Sequence, residues 1–194
     1  MKNLLISAAV AVSLLAPAAA SAQAVPGAVI AVVDLDRVTS QCTACKAANT
    51  ALQGQITAFQ NREKTLTTPL EAEGKAIQAA VDALKGKEPD AALKARATAW
   101  QTKRNQALTE LGRQGEQIKR NQAYITQQIA QKLGPIYQQV MQRRGANIMI
   151  EVGSTLATTT SVDVTNDVLA ALNTAMPSLQ TVAPAQPAST TPSR

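Results

Sequence analysis

Large apolar residues recur every seven positions through the middle of this chain, and the recurrence breaks at Gly86-Lys87-Glu88-Pro89-Asp90. Before the break, Leu52, Phe59 and Leu66 form one series, and Ile56, Leu70, Ile77 and Leu84 form another that Glu63 interrupts. After it come Leu93, Trp100 and Ala107, then Leu111, Ile118 and Ile125, then Ile129 and Ile136. A seven-residue beat with 3/4 alternation is the seam of a helix packed on a helix. Gly and Pro end helices, so the break predicts two arms folded back as an antiparallel hairpin. The pairing centred on the break sets Leu84 opposite Leu93, Ile77 opposite Trp100, Leu70 opposite Ala107, Leu66 opposite Leu111, Phe59 opposite Ile118 and Leu52 opposite Ile125, with Glu73 meeting Arg104. Each arm of about 45 residues would extend roughly 65 Å. Thr68-Pro69-Leu70-Glu71 has the form of a capping box, so arm one is expected to kink or restart there. Gly112, Gly115 and Gly134-Pro135 would loosen arm two, either as tolerated irregularity or as flexibility that lets the arms splay.

The flanks read differently. Lys2, an apolar run from Leu4 to Leu15, Pro17 and the small-residue site Ala20-Ser21-Ala22 describe a cleavable export signal over residues 1–22. The apolar run is too short to span a bilayer, which needs roughly 20 residues. The mature protein is therefore expected to be exported and soluble. Ala28 to Leu35 is a β-branched run suited to a buried strand, with Asp34 or Asp36 placed to cap a following helix. Asn147 to Val152 is a second strand candidate and Thr-rich Leu156 to Val162 a third. Thr165 could cap a last helix ending near Met176, with Val164 and Leu169 as a hydrophobic staple. Pro177, Pro184, Pro187 and Pro192 among Ser, Thr, Ala and Gln predict a disordered tail over 177–194. The expected organisation is mainly α with a small β head: residues 28–41 and 141–176 form a discontinuous head, and 42–140 a basic helical-hairpin arm. So small a head is expected to be completed by oligomerisation through its strands.

Composition limits the chemistry. His is absent and Trp, Phe and Tyr number four in 194 residues, while 37 alanines supply much of the apolar content. The usual general base and the usual zinc ligand are missing, and a thick enzyme core is not expected. The Glu residues lie on exposed helix faces with no pocket to tune them, so no catalytic residue, metal or cofactor is assigned. Cys42-x-x-Cys45 has the spacing of a local disulfide, structural in one reading and redox-active in another; Lys46 and a helix start at Ser40 would favour a reactive thiol, but no thioredoxin-like βαβ pattern surrounds the pair.

The net charge of +6 arises in the middle, where Cys42 to Arg144 carries 16 Lys and Arg against 8 Asp and Glu. Lys85, Lys87, Lys94 and Arg96 cluster near the hairpin tip, and Lys103, Arg104, Lys119 and Arg120 follow along arm two. These eight bases are the candidate client- or anion-binding residues. Three readings stand: a solvated coiled-coil face, electrostatic capture of acidic unfolded polypeptide, and contact with lipid or nucleic-acid phosphate. Export and the lack of aromatic stacking platforms disfavour nucleic acid; at the tip, a membrane surface or lipopolysaccharide is the phosphate-bearing partner within reach.

The strand Val29-Ile30-Ala31-Val32-Val33-Asp34, the basic hairpin, the strand Ile148-Met149-Ile150-Glu151 and the closing Val162-Asp163-Val164-Thr165-Asn166-Asp167-Val168-Leu169 together resemble the Skp, or OmpH-like, periplasmic chaperone family. The resemblance implies a homotrimer whose strands form a small barrel and whose hairpins hang as tentacles around a cavity. It also implies ATP-independent holding of unfolded outer-membrane proteins in the periplasm, without enzymatic activity. The alternative is a structural or adaptor coiled coil of the cell envelope without chaperone activity.

Overall fold

A computed structural model describes residues 26–185; the expected export signal at 1–22 lies outside them. In chain order the elements are β1 (Ile30–Val33), α1 (Leu35–Gln41), α2 (Thr43–Ala83), α3 (Ala91–Arg144), β2 (Ile148–Glu151), a 3-10 turn at Val152–Ser154, and α4 (Thr165–Ala175). The helices α2 and α3 are the two arms, antiparallel and joined through the Gly86–Asp90 break. Asp90 starts α3 by accepting the Leu93 N–H at 2.7 Å, and Gly145 ends it in the left-handed conformation at φ 64°.

The strands β1 and β2 pair in parallel, Ile30 with Ile148 through Val33 with Glu151. Parallel neighbours need a long crossover, and here the crossover is the whole hairpin. Asn147 fixes the strand entry by accepting the Val29 N–H at 2.7 Å and donating to the Gly27 carbonyl at 2.8 Å. On the other side of β1, Val32 exchanges bonds with Val162 and Val164 at 2.8 and 2.9 Å. This contact is a single bridge at Asp163, not the third strand expected over Leu156 to Val162. The chain before it is irregular and Leu156 is fully exposed, because a lone Leu among five Thr and Ser residues has no second sheet to pack on.

Two capping expectations resolve differently. Asp34 caps α1 through the Arg37 N–H at 2.7 Å. At α4 it is Asp163 that accepts the Thr165 N–H, at 2.8 Å, while Thr165 is buried and its hydroxyl oxygen accepts the Asp34 N–H at 2.9 Å. Thr165 thus ties the two helix starts together instead of serving as the cap. Hydrogen bonds from the Thr165 hydroxyl and then its N–H hold the Asp163 carboxyl below its ordinary range.

The head core joins Ala31 and Val33 of β1, Val38 of α1, and Val164, Val168 and Leu172 around α4. It also takes Cys42, Ala44 and Cys45 at the root of α2 and Leu133, Ile136 and Val140 at the root of α3. The head therefore extends into the segment assigned to the arm, since rods so long can be held only by burying their own ends. Both helices run without a break through Pro69 and Pro135, against the expected restart at Thr68. Proline removes one backbone donor; Ile136, directly after Pro135, is buried in the core, and Pro69 is exposed at the edge of a cleft shared with α3.

The pairing of the arms is offset from the one centred on the break. Toward the tip Trp100 reaches Leu70 and Gly74 rather than Ile77, and Glu73 pairs with Arg96 rather than Arg104, whereas nearer the head Gln55 bonds Asn121 within one residue of the centred pairing. Trp100 cannot interdigitate with another large side chain at that point, and it lies where α2 has no Cβ.

The segment 177–185, expected within a disordered tail, runs along the arms. The Gln180 N–H and carbonyl bond the Gln128 amide at 3.1 and 2.8 Å, the Thr181 carbonyl accepts from Gln55 at 3.1 Å, and the Ala183 N–H donates to Asn121 at 2.8 Å. Leu179 packs on the head core. Composition predicts disorder because it registers the missing side-chain anchors, whereas this segment is held by its main chain.

Candidate functional site

Arm two presents its single indole inward. The Trp100 Nε1–H donates to the Leu70 carbonyl at 2.8 Å, and a Cβ built on Gly74 would stand 3.0 Å from Trp100 Cζ2. Arg104 lies over the ring at 5.8 Å from its centroid, within cation–π range. Beside the indole is an open cleft of about 670 Å³ lined by Leu66, Pro69, Leu70, Glu73, Arg96 and Lys103, among others. Its floor is apolar and its rim charged. Arg96 bonds Glu73 through both nitrogens, at 2.7 and 3.0 Å, and these bonds chiefly hold the Glu73 carboxyl below the usual carboxylate range. Farther from the tip, Arg62 and Glu110 repeat the fork at 2.7 and 3.1 Å, with the same effect on Glu110. These are ties between arms, placed on exposed faces.

The eight candidate bases do not form one patch. Lys85 and Lys87 stand exposed in the turn, Lys85 at φ 48°, and Lys94 pairs with Glu88 beside them. Arg96, Lys103 and Arg104 surround the Trp100 cleft. Lys119 pairs with Glu116 at 2.9 Å on its own helix, and Arg120 donates to Gln117 while its Nε is buried without a partner. Of the eight, Lys85, Lys87, Lys103, Arg104 and Arg120 have no ion-pair partner among the described residues, and with Arg104 stacked on Trp100 and Arg120 bonded to Gln117 the three lysines are left. They are the cations most available to an incoming ligand.

Cys42 and Cys45 are bonded, with Cα atoms 5.1 Å apart, and both are buried in the head core. Their sulfurs face packing rather than solvent, away from the cleft and the free cations. Among the described residues no group of three or more Cys, Asp or Glu is placed to hold a metal ion, and no helix is long and apolar enough to cross a membrane.

The sequence reading passed over an amide cluster. Asn121 is buried, donates to Gln55 at 2.7 Å across the seam, and accepts from Gln117 at 2.7 Å. The pattern was present: the series Leu93, Trp100, Ala107 continues at sevens as Gln114, Asn121 and Gln128. A stripe that changes from apolar to amide along one helix face marks a stretch where the arm meets polar groups, here Gln55 of the other arm and the Ala183 N–H.

The family described as outer membrane protein (OmpH-like) matches residues 29–172. A crystal structure of a candidate OmpH-like outer membrane chaperone from Caulobacter crescentus CB15 superposes with a TM-score of 0.65, at 22% identity, covering 81% of this chain and 89% of that one. At that identity the likeness speaks for the fold. No curated protein matches the chain.

Proposed function

Since the chain belongs to the OmpH-like outer membrane protein family, we propose that it is an ATP-independent periplasmic holdase, which binds unfolded outer-membrane proteins between helical arms and prevents their aggregation. The observation that carries this reading is a long hairpin with an excess of eight positive charges, rooted in a small head. A two-helix arm so thin buries little and leaves both faces accessible along its length. Exposed cations attract an acidic chain at a distance, and the apolar floors between them offer contact once it arrives. Lys85 and Lys87 at the tip would meet the client first, with Lys103 and Arg104 at the cleft behind them.

The head supports an assembly that would enclose such a client, a homotrimer in this proposal. Val29, Ile30 and Ile148 are each 41–50% exposed around β1 and β2, and among the described residues β2 pairs only on its β1 side. Apolar side chains beside an open strand edge are what a second copy would cover.

The test is dilution of a urea-denatured β-barrel protein into buffer with and without the purified chain, following light scattering and, by stopped flow, the capture rate. Scattering should be suppressed near stoichiometry. Capture should slow several-fold at high salt and in the triple variant Lys85→Glu, Lys87→Glu, Lys103→Glu, since exposed charges are screened within about 8 Å at physiological ionic strength. Unchanged aggregation would instead favour an envelope adaptor. A capture rate indifferent to salt and charge would remove the electrostatic part.

A further inference from the structure

The amide stripe and the segment lying on it have no role in the electrostatic capture described above. From Met176 to Ala185 that segment contains no charged residue, so the basic arm has nothing in it to attract at long range. What holds it is main-chain recognition. Gln128 offers its carbonyl to the Gln180 N–H and its NH₂ to the Gln180 carbonyl, the donor–acceptor pair that a neighbouring strand would present. Asn121 takes the Ala183 N–H, and Gln55 and Gln117 donate to the Thr181 and Ala183 carbonyls at 3.1 and 3.4 Å.

The spacing fits an extended chain. Gln128 to Asn121 is seven residues of helix, a rise of roughly 10 Å that an extended chain covers in about three residues, and Gln180 and Ala183 are three apart with a bend at Val182 between them. The segment runs opposite to α3, from the head toward the tip. Three of the amides are linked beneath it, Gln55 to Asn121 and Gln117 to Asn121, and the Gln128 NH₂ also donates to the Tyr124 carbonyl, so the bonding groups are pre-oriented. Apolar residues at these seam positions would bind the arms to each other more strongly; amides leave the stretch able to satisfy a third backbone. Every such bond is to a peptide group, and Val182 in their midst is 60% exposed, so little in the arrangement selects a sequence.

We propose that Gln55, Gln117, Asn121 and Gln128 form a strip that binds extended polypeptide through its main chain, and that residues 180–183 of this same chain occupy it as an intramolecular competitor. The strip deepens the holdase reading and rests on it for its biological ligand: unfolded segments would enter by displacing the chain's own tail. Charge brings a client near, and the strip then pairs its unsatisfied peptide groups.

The experiment uses a probe other than a client. An uncharged 15-residue peptide of Ala, Ser, Thr and Gln, labelled at its N-terminus, is titrated by fluorescence anisotropy against the full chain and a chain ending at Leu179, which keeps the Leu179 anchor. Binding to the shortened chain should be at least tenfold tighter. Gln128→Ala in that chain, or N-methylation of alternate peptide bonds in the probe, should each weaken binding fivefold or more. The full-length double variant Gln180→Pro, Ala183→Pro removes the two donating N–H groups without truncation, and should bind the probe as the shortened chain does. Equal binding to full and shortened chains, or to methylated and unmethylated probes, overturns the proposal. The outcome is independent of the aggregation assay: the peptide reads the strip and the denatured β-barrel reads the holdase, so either can fail alone.

Discussion

Gly74 matters because of what lies against it. In an exposed helix interior, Gly→Ala stabilises by about 1 kcal/mol through helix propensity, and Gly112, which has open space where its Cβ would go, should show that gain. At Gly74 the new methyl would press on an indole that is pinned by its bond to Leu70. Gly74→Ala is expected to be at least about 1 kcal/mol less stable than Gly112→Ala, as overpacking costs about 1–3 kcal/mol. Since Trp100 is the sole tryptophan, its emission reports the displacement directly and should shift to the red only in the Gly74 variant. Identical gains and an unmoved spectrum in both would mean that the indole is not held there. Trp100 stood out in the sequence as a seam residue; its partner Gly74 did not, because a missing side chain leaves no mark on a hydrophobic repeat.

Along the elements, the pairing of the arms is where the sequence reading and the structure diverge. A heptad repeat matches its partner equally well at several offsets, since shifting one arm by a repeat restores the same pattern. The choice among offsets is made by the turn, by the fit of Trp100, and by forked pairs such as Glu73 with Arg96. Charge exchange tests it. Glu73→Lys should lower the melting temperature at neutral pH, Arg96→Glu in the same chain should restore it, and Arg104→Glu should not. Restoration by Arg104→Glu alone would reinstate the pairing centred on the break. Acid provides a second reading. The Glu73 and Glu110 carboxyls are depressed in the folded chain, chiefly by their arginine hydrogen bonds. Their contribution is therefore present above the unfolded carboxylate value of about 4.3, and is lost as the pH falls through the lower folded one. Thermal unfolding should show a smaller acid loss in Glu73→Gln, Glu110→Gln than in the wild type, the remainder coming from Asp163 and Glu116, whose carboxyls are also depressed.

For the molecule as a whole, the proposed function turns on assembly and access. The proposed trimer needs the strand edge near Ile148, whereas the arms and the tail do not depend on it. Ile30→Asp with Ile148→Asp should thus yield monomers by light scattering at micromolar concentration while the helical circular dichroism persists. A wild-type chain that is itself monomeric would reject strand-mediated assembly. The eight-base grouping also changes meaning at this scale, since three of the bases are paired with carboxylates nearby and the free cations number fewer than the charge count suggests.

The sequence by itself determined what depends on local pattern: two long helical arms, the break between them, the strands near Val29 and Ile148, the start of α1 at Asp34 or Asp36, the end of α4 near Met176, and resemblance to a family that matches residues 29–172. These follow from periodicity, caps and breakers that a few neighbouring residues supply. Only the tertiary structure decided the offset of the arms, the burial of Cys42 and Cys45, the bond from the Thr165 N–H to Asp163 at the start of α4, and the docking of 180–183 on an amide stripe. Each of those turns on a contact between residues far apart in the chain, and in the last case on peptide groups, which are the same at every position and so leave no trace in a sequence.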